Sequence, residues 1–257
     1  MFNVSILGNM RRSAVTLAAT IAACAWAPAA IAQEIGGVTT DDTTPIVVVV
    51  KIPKPWYAAR FVVVSKMRDS IPQYENIPGL AYKAFSIAQK DGQYGGIYYW
   101  KDRASARAWF SPAWFERVEK QRGAKGDVRY FDAPVALDNT PDGALSSNDS
   151  DAVSTLVTIA TPDAIDRDRL VAEFKAVVPV YQKAGGLLRK YFIITDDGRF
   201  GGIYLWRDQA AAQQWFSAAW HQRVRETYGA DASIEWFDTP ILLPSKAASN
   251  SIAMVRR

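Results

Sequence analysis

The strongest constraint on the fold of this chain is a stretch of 24 residues that occurs twice. GGIYYWKDRASARAWFSPAWFERV covers residues 95–118, and GGIYLWRDQAAAQQWFSAAWHQRV covers residues 201–224. Fifteen of the 24 positions are identical, and three of these are tryptophan. RYFDAP at 129–134 matches EWFDTP at 235–240 with the same offset of 106 residues. The repetition indicates two copies of one folding unit.

The matching extends upstream, so each copy has the size of a domain. Residues 71–85 match residues 178–192 at an offset of 107. Between the copies, residues 137–152 are rich in turn-forming residues and lack periodic apolar positions. A solenoid would need more units than two. We therefore predict a first repeat at 45–136, a linker at 137–152, a second repeat at 153–245 and a flexible tail at 246–257.

Both copies show the same order of predicted elements, β-α-β-β-α-β. The apolar segments 45–52 and 154–161 predict first strands, and the helical spacing of apolar residues in the second copy predicts first helices at about 56–76 and 163–183. Glycines follow both helices, where they are typical of a C-terminal cap: Gly79 and Gly185-Gly186.

Two strands, a second helix and a last strand complete each copy. Asp102 and Asp208 stand where an N-cap belongs, so they predict helices at 103–120 and 209–227. The last strands are predicted to end at prolines, Pro134 and Pro240. Such a unit is ferredoxin-like, and its sheet has one bare apolar face. The predicted fold class is α+β: two ferredoxin-like βαββαβ repeats packed sheet-to-sheet as an internal pseudo-dimeric α+β barrel.

The N-terminal segment has the features of a secretory leader. Arg11 and Arg12 precede an apolar run, and Ala30 and Ala32 are small residues at the positions that signal peptidase requires. We predict a signal peptide at 1–32, cleaved after Ala32, and a periplasmic or secreted protein. Without this leader the net charge falls from +4 to +2, which is too weak to favour a nucleic-acid partner. No later segment reaches the ~20 apolar residues of a membrane span.

Alternative processing of the leader stays open. The segment IAAC at 21–24 resembles a lipoprotein box in which Cys24 would be acylated, and the twin arginines resemble a Tat signal. Translation could also begin at Met10. Cys24 is the only cysteine, so cleavage after Ala32 would leave a mature chain without disulfides or thiolate sites.

Several motifs resemble the YdhR group of monooxygenase-like proteins, within the dimeric α+β barrel superfamily. They are IPGLAYKAF at 77–85, GGIYYWKDRASARAWF at 95–110 and FDAP at 131–134, and both copies match over about 185 of the 257 residues. The resemblance implies that the two copies mimic the homodimer of such relatives, so a monomer is expected. This superfamily includes cofactor-free oxygenases, haem enzymes, isomerases and binding modules, so the resemblance indicates the fold rather than the reaction.

The predicted third strands alternate in a way that suggests a ligand-binding face. Tyr98 and Trp100 point to one side, as do Tyr204 and Trp206 in the second copy. These four residues are candidates to line a cavity between sheet and helices, where aromatic rings bind flat ligands. The alternative is that they are ordinary core residues. Trp109 and Trp215, at helical spacing from other tryptophans, are interpreted as core.

The candidate catalytic residues are Lys83, Lys190 and His221. A lysine in an apolar cleft has a lowered pKa and can act as a base or bind an anionic substrate, whereas a solvated strand face is its commoner location. His221 occupies the position that Phe115 has in the first copy, and Arg189 occupies the position of Tyr82. The fold therefore does not require these two polar residues. Arg189 is a candidate for substrate binding. A surface location is the alternative for His221.

No cofactor or metal is predicted. A single histidine cannot build a zinc or non-haem iron site. Haem-degrading relatives carry a histidine ligand where this chain has Val118 and Val224, which argues against haem chemistry. The leader predicts an exported protein, and the resemblance implies that it is a cofactor-independent monooxygenase acting on a small aromatic quinol or phenol. The alternative is a non-catalytic module that binds a small hydrophobic ligand or a protein.

Overall fold

The structure is a computed structural model, and it describes residues 43–140, 145–162, 165–244 and 254–256. These residues belong to one compact unit of the chain. The predicted leader, with its cleavage site after Ala32 and the alternative at Cys24, lies outside the described residues. Most of the predicted tail lies outside them as well.

The elements follow the predicted order, with a second helix that is divided in two in each half. The strands of the described residues are β1 (Ile46–Ile52), β2 (Leu80–Ala88), β3 (Tyr94–Trp100), β4 (Asp127–Asp138), β5 (Val153–Ala160), β6 (Leu187–Ile194), β7 (Arg199–Trp206), β8 (Ser233–Pro244) and β9 (Val255–Arg256). The α-helices are α1 (Arg60–Asp69), α2 (Arg103–Trp109), α3 (Pro112–Arg122), α4 (Arg167–Gln182), α5 (Gln209–Trp215) and α6 (Ala218–Tyr228). A 3₁₀ turn, Ile71–Gln73, follows α1.

Eight antiparallel strands close into a barrel. The order is β1-β3-β2-β8-β5-β7-β6-β4, and β4 pairs with β1 again to complete the ring. The first half therefore meets the second at two ladders, β2 with β8 and β4 with β6. The fold is mixed α+β. The short strand β9 adds to β4 in parallel, and Ser147 of the predicted linker forms a bridge with Leu242 of β8.

The last strands do not end at Pro134 and Pro240, as the sequence predicted. β4 continues to Asp138 and β8 to Pro244, and each pairs with the other half after its proline. The pairing register shifts between Asp132 and Val135, on either side of Pro134. Proline has no N–H to give to a ladder, so an irregularity of this kind is where a strand tolerates it.

The divided second helix has a local cause. In the first half Ser111 is extended because Pro112 follows it, and proline disfavours helical backbone in the residue before it. In the second half the Ser217 hydroxyl caps α6 by accepting a hydrogen bond from the Trp220 amide. The predicted N-caps are confirmed: Asp102 accepts a hydrogen bond from the Ser105 amide, and Asp208 from the Ala211 amide.

The glycine caps were assigned to the wrong helices. α1 ends at Asp69 and α4 at Gln182, well before the glycines. Gly79 and Gly186 do have positive φ, 79° and 77°, but they lie at the entrance of β2 and β6. The left-handed residues that cap helices are Gly123 after α3 and Gly229 after α6.

The alternation predicted for the third strands is confirmed. Ile97 and Tyr99 of β3 face the barrel interior, where all eight barrel strands contribute to one apolar core. Tyr98 and Trp100 face the helices and pack with Phe110. In the second half the residues on the helix side are Tyr204 and Trp206.

Reciprocal ion pairs join the two halves beside the ladders. Asp132 of β4 binds Arg167, the first residue of α4, at 2.9 Å. At the matching positions, Asp238 of β8 binds Arg60, the first residue of α1. Asp132 is almost fully buried and accepts a second bond from Arg103 at 2.8 Å.

Residues at matching positions also meet each other. Arg129 and Glu235 occupy the first position of the RYFDAP and EWFDTP motifs, and their side chains form an ion pair at 2.5 Å. Arg189 and Tyr82 also match, and the guanidinium lies 4.1 Å from the centre of the tyrosine ring. At both pairs of matching positions the two copies carry different residue types, and these attract each other: arginine meets glutamate in one pair and an aromatic ring in the other.

We expect Asp132→Ala to destabilise the protein far more than Asp238→Ala. Within the described residues, removing the buried Asp132 leaves Arg103 with only the exposed Asp196 as an acidic partner. The loss of one member of a buried pair costs about 3–5 kcal/mol. The pair of Asp238 with Arg60 is half-exposed, so its loss should cost about 1 kcal/mol or less. Urea unfolding measures both values. Equal losses would show that the burial of Asp132 carries no energetic weight.

Candidate functional site

The most unusual feature of the structure is a pair of buried lysines. Lys83 on β2 and Lys190 on β6 point toward the helices, and each side chain is only 2% exposed. They occupy matching positions in the two halves. Lysine is almost never fully buried without a partner for its charge, so two such residues in the same environment require a physical account.

Aromatic rings enclose both amines in the same way. The Nζ of Lys83 lies 3.0 Å from the ring centre of Tyr74, 3.7 Å from that of Phe85 and 4.6 Å from that of Tyr98. Around the Nζ of Lys190 the distances are 3.2 Å to Tyr181, 3.9 Å to Phe192 and 4.5 Å to Tyr204. We call these two groups the Lys83 cage and the Lys190 cage.

The repeated Gly-Gly pair provides the room for the lysines. A Cβ atom on Gly96 would lie 3.0 Å from Cε of Lys83, and one on Gly202 would lie 2.9 Å from Cε of Lys190. The preceding glycines have a different role. A Cβ on Gly95 would meet the Val50 carbonyl oxygen at 2.1 Å. One glycine therefore permits close approach of the first strand, and the next leaves space for the lysine.

The electrostatics of both cages favour an uncharged amine. Among the ion pairs of the described residues, none involves Lys83 or Lys190. Burial lowers the pKa of both lysines well below the ordinary value of 10.5. Burial also raises the pKa of the surrounding phenols, that of Tyr181 to about 12. Each cage thus holds a basic amine beside protonated tyrosines in a medium of low dielectric constant.

Partly exposed rings separate each amine from solvent. Tyr74 lies next to Trp109, with ring centres 5.9 Å apart, and both are half-buried. Tyr181 and Trp215 form the corresponding contact at 5.3 Å. The indole nitrogens of both tryptophans are buried without a hydrogen-bond partner in the described part of the chain. A polar ligand atom that reached them would satisfy these donors.

The two tryptophans predicted to line a cavity stack on the cage tyrosines of the third strands. Trp100 stacks on Tyr98 with ring centres 6.3 Å apart, and Trp206 stacks on Tyr204 at 5.8 Å. Trp100 and Trp206 are completely buried. The structure therefore brings together Lys83, Tyr98 and Trp100 in one half. In the other half it brings together the matching residues, Lys190, Tyr204 and Trp206.

Arg189 lies on the opposite face of its strand from Lys190, in the barrel interior. It forms a buried ion pair with Asp138 at 2.9 Å and lies over the ring of Tyr82. A small cavity beside it is lined by Tyr82, Tyr191 and Ser154 together with apolar residues, and has room for about one water molecule. The hydroxyl of Tyr82 has no hydrogen-bond partner among the described residues.

His221 lies on α6, away from the cages. Its half-exposed ring contacts Trp220 edge-on at 5.0 Å, and within the described ranges the imidazole nitrogens form no hydrogen bond or ion pair. As for metals, the part of the chain that the structure describes contains no group of three histidine, cysteine or acidic residues that could hold an ion. No described helix is long and apolar enough to cross a membrane.

Several solved structures align with this chain over most of their length. Two proteins named "putative monooxygenase", from Lactobacillus acidophilus and Fusobacterium nucleatum, align with TM-scores of 0.55 and 0.57 at 14% and 12% identity. They match 78% and 79% of this chain and 96% and 95% of their own.

An anthrone oxidase-like protein aligns with a TM-score of 0.51 at 9% identity, over 84% of this chain and 98% of its own. No sequence-family model matches the chain, and no curated protein is similar to it in sequence. At these identities the likeness shows the fold alone.

Sequence reasoning missed the outer wall of each cage. Tyr74 and Tyr181 match at the same offset of 107 residues as the lysines, and this coincidence was the available signal. Trp109 and Trp215 were interpreted as core. Both pack against the core of their half, but each is only half-buried and also borders a cage. Asp138, the partner of Arg189, has no acidic counterpart in the second copy, where Pro244 takes its place. No repeat pattern could therefore identify it.

Replacing either buried lysine by methionine is expected to stabilise the protein at neutral pH. The amine is protonated in the unfolded chain below pH 10.5 but resists protonation in the fold, so folding costs free energy there. The cost grows as the pH falls and vanishes above 10.5. Lys83→Met and Lys190→Met should each raise the free energy of unfolding at neutral pH by more than about 1 kcal/mol.

Urea unfolding at neutral and alkaline pH checks this expectation. The gain of each variant over the parent protein should shrink as the pH approaches 10.5. Lys66→Met is the control, because Lys66 is exposed and its replacement should change stability by about 0.5 kcal/mol or less. Destabilisation of both buried-site variants at neutral pH would show that the amines are stabilised in the cages.

Proposed function

We propose that this protein is a cofactor-independent monooxygenase that acts on a small phenol or quinol, with Lys83 and Lys190 as the bases of two equivalent sites. The observation that carries the proposal is the duplicated cage itself. A buried amine without an ionic partner costs stability, and such a cost is typical of a functional group. The likeness to monooxygenase-like folds supports the reaction class.

The cage already holds a phenol ring against the amine. Tyr74 lies over Lys83, and Tyr181 over Lys190, in the position that a flat hydroxyaromatic substrate would need. We infer that these two tyrosines swing outward to admit the substrate, because they are half-buried and lie at the outer wall. Tyr98 and Tyr204 would then orient the substrate hydroxyl. Trp100 and Trp206 would hold these two tyrosines in place by stacking on them.

The chemistry needs only a base and a dry site. The lysine Nζ removes the proton of the substrate hydroxyl, and the electron-rich ring reacts with dioxygen. A C–O bond forms at a ring carbon, that carbon loses its hydrogen, and the O–O bond breaks. One oxygen atom remains as a quinone carbonyl and the other leaves as water. Phenol plus dioxygen gives quinone plus water, and the ring supplies all the electrons.

A second function is favoured by the closed state of the cages. Their space is filled by side chains of the protein, and neither contains a carboxylate that could relay a proton. A non-catalytic module that binds a small hydrophobic ligand would need only the opening of Tyr74 or Tyr181. Oxygen uptake distinguishes the two functions, because the binding module consumes none.

Activity should depend on the lysines additively. With a hydroquinone substrate, Lys83→Met and Lys190→Met should each lose about half of the oxygen uptake. The double variant should fall by about 10²–10⁴-fold, which is the usual contribution of a general base. Lys66→Met should retain full activity. The rate should rise with pH as the buried amines lose their protons, at a pKa below 10.5.

Oxygen uptake in the presence of the unfolded protein gives the background rate. Parent-like uptake by a folded double variant would remove the lysines from the mechanism. Ligand binding without uptake by the parent protein would establish the binding module instead.

We further propose that the two halves are ferredoxin-like repeats which mimic a homodimer within one chain, so that the protein is a monomer. The reciprocal pairs of Asp132 with Arg167 and of Asp238 with Arg60 support a pseudo-twofold relation. We also propose that the chain is exported to the periplasm or secreted, with cleavage after Ala32. Lipidation at Cys24 is the alternative.

Separate expression of the halves tests the internal dimer. Fragments 40–140 and 150–250 should form a one-to-one complex when they are produced together, because β2 and β4 then find β8 and β6. Each fragment alone should aggregate, since a pair of first halves would place Arg129 against Arg129, and a pair of second halves Glu235 against Glu235. Mass in solution measures the outcome. Two well-behaved monomeric fragments would contradict the proposal.

A further inference from the structure

Three large aromatic side chains stand almost fully in solvent at the start of the first helix. Trp56 is 91% exposed, Tyr57 73% and Phe61 76%. We call these residues the aromatic patch. Single exposed apolar residues are common, but a group of three neighbouring rings at such exposure indicates a contact surface.

The protein holds the aromatic patch in a defined shape. The Nζ of Lys54 donates hydrogen bonds to the carbonyl oxygens of Pro55 at 3.4 Å and Ala58 at 2.7 Å, which closes the loop that carries Trp56. Arg60 ties the start of α1 to Asp238 of β8. The rings of Trp56 and Tyr57 pack edge-to-face with centres 5.8 Å apart. The rings are thus presented outward on a braced loop.

The fold does not require the aromatic patch. In the second copy, Asp168 stands at the position of Phe61, and the sequence has Asp163 and Ala164 at the positions of Trp56 and Tyr57. Asp168 lies in the first turn of α4, the helix equivalent to α1, so a charged residue is compatible with this position. The rings therefore serve a purpose that only the first half has.

Basic residues surround the aromatic patch. The segment 53–68 contains Lys54, Arg60, Lys66 and Arg68 and no acidic residue. The matching segment 160–175 contains four acidic and three basic residues. Lys66 pairs with the exposed Asp69, and Arg68 pairs with the exposed Asp149 and donates a hydrogen bond to the Asn148 carbonyl oxygen at 3.0 Å. Exposed ion pairs of this kind exchange readily with other anions.

We propose that the aromatic patch docks this protein on the surface of an anionic lipid bilayer. Tryptophan and tyrosine prefer the boundary between headgroups and acyl chains, and flanking cations are attracted to anionic headgroups. Protruding rings enter a soft bilayer without a complementary pocket, whereas a rigid protein partner would need one for each ring. The docked protein lies on the membrane surface with its first half facing the bilayer.

Vesicle co-sedimentation of the purified full chain tests this proposal. The protein should bind phosphatidylcholine vesicles that contain phosphatidylglycerol, and should bind pure phosphatidylcholine vesicles more weakly. Trp56→Asp/Phe61→Asp, which introduces the residues of the second copy, should weaken binding by about tenfold or more. Val180→Asp is the control, because Val180 is exposed on α4 of the other half and its replacement should leave binding unchanged.

Thermal unfolding of the double variant should match that of the parent, because the rings are exposed. Equal vesicle binding by the parent and the double variant would overturn the proposal, since a leader or an acyl chain would then account for the membrane contact. Absence of binding by the parent would overturn it too. So would a concentration-dependent dimer that the double variant abolishes, because the aromatic patch would then join two copies of the chain.

Discussion

The hydrogen-bond ladders between the two halves are the constraint on which the rest of the structure depends. Each half alone is a four-stranded sheet with two unpaired edges, and an open edge is a template for aggregation. β4 and β8 run past their prolines and pair with β6 and β2, so the described strands form a ring. The closure buries an apolar core to which all eight strands contribute. Reciprocal aspartate–arginine pairs then fix the first helix of each half against the other half's last strand.

The lysine cages lie on the outer side of this ring, between strands and helices. Their geometry depends on three residues that lie on separate segments of the same half. A lysine stands at the middle of the second strand, and a glycine on the neighbouring strand leaves it room. A tyrosine covers the amine: Tyr74 follows α1 in the first half, and Tyr181 lies at the end of α4 in the second. Since burial of an amine costs free energy, a fold under selection for stability alone would carry an apolar residue there. Both halves keep the amine, and this is the reason for proposing that the cages are functional sites.

The repeat made much of the fold predictable from sequence. Asp102 and Asp208 cap helices through bonds to amides three residues away, and such local interactions leave local sequence signals. The alternation along β3 follows from the pleat and was predictable for the same reason. Pairing of β2 with β8 has no local signal, so it could not be predicted, and Pro134 and Pro240 suggested strand ends instead. The lysines were found because both copies carry them. Tyr74 and Tyr181 also recur in both copies, but only the packing shows that they cover the amines.

Closure of the ring also means that β2 must wait for its partner strand while the chain is being synthesised. Phe85 on β2 pairs with Ile241 on β8, more than 150 residues later. At ordinary rates of synthesis this separation corresponds to roughly 8–30 seconds. During that interval the first half has left the ribosome or a translocation pore with its β2 edge bare. Contacts of such long range also slow folding once the chain is complete. The bare edge of the early half is open to pairing with other chains until the late half arrives.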